Sequence, residues 1–150
     1  MNNNYTILSF DSKDSDSLKN AKHLAMPEGL DADGKRAYNA IKKHLDNFSH
    51  IDVGGCKAFY SPDEWDERGE QYGTSSKLII VYDGGSLRHF FNMDAAYEAH
   101  CMVAEFYEET GDTEMLGKPY DSYENMNAAL HKEGLYFEEC TGWYAAVYKI

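Results

Sequence analysis

Lys77-Leu-Ile-Ile-Val-Tyr82 is the most apolar run in the chain, and it limits the fold more than any other segment. It is rich in β-branched side chains and bounded by Ser75-Ser76 on one side and Asp83-Gly84-Gly85 on the other. A run that short between turn residues reads as a strand covered on both faces, not as a helix. The Asp-Gly-Gly stretch predicts a tight hairpin turn, with residues 87–91 returning as the antiparallel partner.

A second hairpin is predicted near the end of the sequence: residues 135–140, a Thr141-Gly142 turn, and residues 143–150. Strict alternation in its second arm sends Trp143, Ala145 and Val147 to one side and Tyr144, Ala146, Tyr148 and Ile150 to the other. Both sets are apolar, so this arm is expected to be a central strand or an aromatic sheet face used for binding. Residues 56–60 read as a further strand.

Helices fill the intervals. A short one is expected over 17–25, ended by Pro27 and Gly29. A stronger one runs over 31–47, where Ala37, Ile41, Leu45 and Phe48 recur at helical spacing. Its other face carries Lys35, Arg36, Lys42 and Lys43, the only basic cluster in the sequence, read as a solvated face. Ser61-Pro62-Asp63-Glu64 is a helix start, with Ser61 as N-cap, Pro62 at the first helical position and Glu64 closing a capping box. Asn92 or Asp94 opens a long helix over 95–110, ended by Gly111 and turning Ala96, Ala99, His100, Val103, Phe106 and Tyr107 inward. Asp121 or Ser122 opens the last, through Lys132, with Gly134 beyond it. Two hairpins among helices predict an α+β fold, a largely antiparallel sheet of about four or five strands with helices packed on one face. Residues 1–16 read as a flexible arm or edge strand, and 17–150 as a single domain.

Charge decides which partners are plausible. The 150 residues carry a formal net charge of −12, yet residues 1–60 hold 8 basic and 8 acidic side chains, while residues 61–150 hold 6 and 18. A field of that sign repels nucleic-acid phosphate and anionic membrane surfaces alike. No apolar run has membrane-spanning length, and no secretory signal pattern opens the sequence. Three cysteines at positions 56, 101 and 140, without paired spacing, suggest reduced thiols and a cytoplasmic location.

The phrase Cys56-Lys-Ala-Phe-Tyr-Ser-Pro-Asp-Glu-Trp65, with Arg68-Gly69 and Tyr72-Gly73, is one part of a wider likeness. Val81-Tyr-Asp-Gly-Gly85, Phe91-Asn92 and Cys140-Thr-Gly-Trp-Tyr-Ala-Ala-Val-Tyr148 are the others. Together they resemble small uncharacterised proteins encoded by phages and mobile elements. The resemblance implies a phage-like context and no particular chemistry. It also implies a second cysteine where this chain has Gly142.

Motifs for chemistry are sparse. Neither phosphate-loop pattern is present, and the six histidines lack metal-ligand spacing, so no cofactor or metal is expected. The tract from Asp11 to Asp16 lacks the glycine and the final glutamate of a calcium loop. A hydrolase or transferase would pair Cys140 or Cys56 with His89, oriented by Asp83 across the predicted hairpin. The leading expectation is instead a contact protein. In it Asp63, Glu64, Asp66, Glu67 and Glu70, beside Trp65, occupy a basic groove of a host nucleic-acid-binding protein, imitating phosphates as a phage-type anti-defence inhibitor does. A third reading is a small-molecule or nucleotide-signal binder using Trp143 and Tyr144 on the aromatic sheet face.

Overall fold

The structure, a computed structural model, describes residues 22–48, 51, 53, 55–110 and 119–150, apart from the side chains of 103, 104 and 106–110. The expectations for the arm at 1–16, residues 17–21 of the helix expected over 17–25, the helix end at Gly111 and the inward side chains of Val103, Phe106 and Tyr107 lie outside the described residues.

The apolar run forms β2 (Leu78–Val81), buried along its whole length. It pairs antiparallel with β1 (Phe59–Tyr60) on one side and β4 (Tyr144–Lys149) on the other, and β3 (Leu135–Glu139) pairs with β4. The order β1-β2-β4-β3 puts the two most apolar strands in the middle. Both edges are unattractive to further strands: β1 has only two residues, and β3 ends on the exposed Glu138 and Glu139.

Four α-helices lie wholly within the described residues: α1 (Ala32–Leu45), α2 (Pro62–Glu67), α3 (Met93–Thr110) and α4 (Asp121–His131); Lys22 and His23 are helical as well. α1 begins where the Asp31 side chain accepts from the Gly34 N–H at 2.8 Å. At the head of α3 the Asn92 side chain accepts from the Ala95 N–H at 2.9 Å. The fold is α+β with an antiparallel sheet, as the sequence pattern predicts.

One strand of that prediction gives way. Residues 87–91 do not return beside β2; Ser86–Phe90 is a 3₁₀ helix. Gly84 and Gly85 have φ of 84° and 75°, a left-handed pair that swings the chain out of the sheet plane. Leu87, Phe90 and Phe91 are fully buried, and their spacing of three and four suits a helical turn, not a strand. The Ser122 hydroxyl at the start of α4 donates to the His89 carbonyl at 2.8 Å and fastens α4 to this turn.

The pleat divides the interior in two. Leu78, Ile80, Phe137, Ala145 and Val147 face the main core with Ala37, Ile41 and Leu45 of α1, Met126 and Leu130 of α4, and Phe90. Ile79, Val81, Tyr144 and Ala146 face the other way, against Trp65 of α2. Helices are therefore not confined to one face, because short α2 caps the second.

Candidate functional site

A six-residue helix has almost no stability of its own, so α2 must be held by what surrounds it. Ser61 and Glu64 make a reciprocal capping box, each side chain accepting from the other's backbone N–H at 3.1 Å. Trp65, with no exposed surface, is driven into the second sheet face and meets Tyr60, Trp143 and Tyr144 at ring-centroid distances of 5.1, 5.7 and 4.8 Å. The Arg68 guanidinium lies 4.7 Å from the Trp65 ring.

That anchoring decides what the helix shows to solvent. Asp63, Asp66 and Glu67 are exposed, and no ion pair involves them among the described residues. Glu64 is half-buried and bonded to Lys57 at 2.7 Å; burial opposes its charge, but Lys57 and the Ser61 N–H outweigh it and hold the carboxyl below its ordinary value. Glu70 lies 3.7 Å from Arg68. Of the five expected acidic contact residues, three thus stand clear and two are drawn to neighbouring cations.

The aromatic expectations need correction. Trp65 is beneath the carboxylates, not beside them. Tyr144 is buried too, its hydroxyl donating to the Tyr72 carbonyl at 3.0 Å. Trp143 precedes β4, so strand alternation does not govern it; it turns away from Ala145 and Val147 to pack on Trp65 and Tyr144. Around Trp65 the aromatic face is a small interior covered by α2, with Tyr60, Trp143 and Tyr148 partly exposed at its rim.

The thiol and imidazole candidates lie in separate settings. His89 is buried in the 3₁₀ turn, and burial, aided by Arg88, lowers its pKa to about 4. Cys140 packs with the Trp65 cluster, and burial followed by the nearby Glu138 raises its thiol to about 11. The first is a neutral imidazole and the second a protonated thiol at neutral pH, so neither is primed for nucleophilic work. Cys56 and Asp83 are both exposed, in the loops before β1 and after β2. Among the described residues no group of three or more His, Cys, Asp and Glu side chains is placed to hold a metal ion.

One feature escapes sequence reasoning. Arg36, Asn39, Ala40, Lys43 and His44 of α1, with Asn47 just past its end, line one side of a groove, and Ala129 of α4, with Lys132 and Glu133 just past its end, lines the other. The groove has a volume of about 480 Å³. Basic residues near the end of α1 were visible as a cluster, but Lys132 joins them only through helix packing.

No protein-family model, curated protein or solved structure matches the chain. No described helix is long and apolar enough to cross a membrane.

Proposed function

We propose that this is a small acidic binding protein of the cytoplasm, which docks its anionic surface in a basic groove of a protein partner such as a nucleic-acid-binding enzyme. The observation that carries the reading is the rigid mounting of Asp63, Asp66 and Glu67 above a fully buried Trp65, in a chain of net charge −12. Carboxylates held on a fixed turn lose little freedom on docking, so more of their Coulomb attraction survives as affinity and steering. In the version that the resemblance to phage-encoded proteins suggests, the partner belongs to host defence and the protein is its inhibitor.

The test uses purified basic nucleic-acid-binding proteins, with binding measured at about 50 and 300 mM salt, where screening lengths differ by more than twofold. Capture that weakens steeply with salt, is displaced by DNA, and is lost in a D63K/D66K/E67K variant is the expected result. Capture indifferent to salt, or unchanged by the triple reversal, ends the reading.

A further inference from the structure

Among the described residues, the groove between α1 and α4 gathers positive charge in this acidic chain. Arg36, Lys43 and Lys132 line it, with the Asn39 and Asn47 amides and a single carboxylate, Glu133. Helix ends explain part of this, since carbonyl termini attract cations and Lys43, His44 and Lys132 lie in or beside last turns. They do not explain Arg36, in the first half of α1. Arg36 is fixed from two sides, by Asp33 and by the Glu133 carbonyl at 2.5 Å, so its charge is held at the groove wall.

Lys43 and Lys132 behave differently from their neighbour Lys42. Lys42 pairs with Asp46 at 2.7 Å, whereas no ion pair involves Lys43 or Lys132 among the described residues. Ala40 and Ala129, the small residues of the lining, leave room between the charged walls. His44 lies in the same lining, its Nε2 buried without a hydrogen-bond partner among the described residues. Burial and then the Lys132 charge lower its pKa, which places Lys132 close enough to be felt at the imidazole.

Arg36 is matched by Asp33, so among the described residues Lys43 and Lys132 are the cations left without an ion pair around the space, beside the one carboxylate of the lining, Glu133, and an entering anion meets their charge. The space is of the size that small-molecule sites usually have, about 300–1,000 Å³. Repulsion from the distant carboxylates of the chain fades over a Debye length of about 8 Å at physiological salt, so the near cations dominate inside the groove. We propose that the α1–α4 groove binds a small ligand bearing two or more phosphates, of nucleotide size. Lys43 and Lys132 would meet the phosphates as mobile donors and Arg36 as a fixed charge. This site is separate from the α2 surface and does not depend on it.

Calorimetric titration of the full chain with inorganic pyrophosphate, and in parallel with a nucleoside triphosphate, tests the idea. Binding of either supports it, and tighter binding of the triphosphate shows that the nucleoside is also held. Substituting Lys43→Gln with Lys132→Gln should weaken binding at least tenfold. Lys42→Gln, which removes the same kind of charge outside the groove, should change it less than twofold. The His44 ring resonances should move on saturation, and an unchanged urea midpoint shows that the double variant is folded. No binding at millimolar ligand overturns the proposal. So do equal losses in all the lysine variants, or His44 resonances that stay still.

Discussion

Replacing Trp65 by alanine is the sharpest way to separate a structural anchor from a contact residue. The side chain has no exposed surface and fills the space between α2 and Ile79, Val81, Tyr144 and Ala146. Truncating a buried large aromatic to alanine costs about 3–5 kcal/mol, because transfer energy is lost and the cavity does not fully collapse. The upper half of that range is expected here, since Trp65 is the sole buried side chain of α2 and the ring that Arg68 covers. For a chain of this length each kcal/mol is worth about 2–4 °C, so Tm should fall by on the order of 10 °C. Urea unfolding followed by far-ultraviolet circular dichroism measures the change, and Trp65→Phe, which keeps a ring in place, should cost less than half as much. A loss below about 1 kcal/mol for Trp65→Ala would refute the reasoning. Trp65 would then have to be a surface side chain, and α2 would owe its place to something else.

Three further outcomes can be checked with simple measurements. Gly34→Ala normally strengthens a helix by about 1 kcal/mol, but a Cβ here would lie 2.5 Å from the Lys77 carbonyl oxygen of the neighbouring backbone, so the substitution should lower the urea midpoint. His89, held near pKa 4 against an ordinary 6.5, leaves the unfolded chain binding more protons between those values. Its contribution is complete above pH 6.5 and is lost as pH falls towards 4, by about 3 kcal/mol in all, so the wild-type stability slope across that window should exceed that of His89→Asn. Timed alkylation at pH 7 should modify exposed Cys56 long before half-buried Cys140, whose pKa of about 11 leaves very little thiolate; equal rates would contradict that placement.

The parts of the fold written in neighbouring residues were legible in the sequence. The Leu-Ile-Ile-Val core of β2, the capping box at Ser61 and the hairpin joining β3 to β4 depend on contacts within a few positions, and each forms where its residues indicate. The turn after β2 was misleading because paired glycines serve a hairpin and an exit from the sheet equally well. Only the burial of Leu87, Phe90 and Phe91 at helical spacing decides between them. The candidate sites were harder. Carboxylates on α2 are visible in sequence, but whether Trp65 lies beside or beneath them depends on a sheet face built from residues 79, 81, 144 and 146. The basic groove needs α1 and α4 side by side, a pairing between residues about ninety positions apart that no local pattern records.

The strand order has a consequence for how the molecule is made. β4, the last strand of the sheet in sequence, lies between β2 and β3, and its alternating residues enter both interiors. A ribosome releases β1, β2, the 3₁₀ turn and every described helix before residues 144–149 emerge. Until then β2 has an unsatisfied flank and the nascent polypeptide cannot close either side of its sheet. Closure of this sheet must therefore wait until residues 144–149 have emerged, and the open flank of β2 is exposed to other chains in the interval.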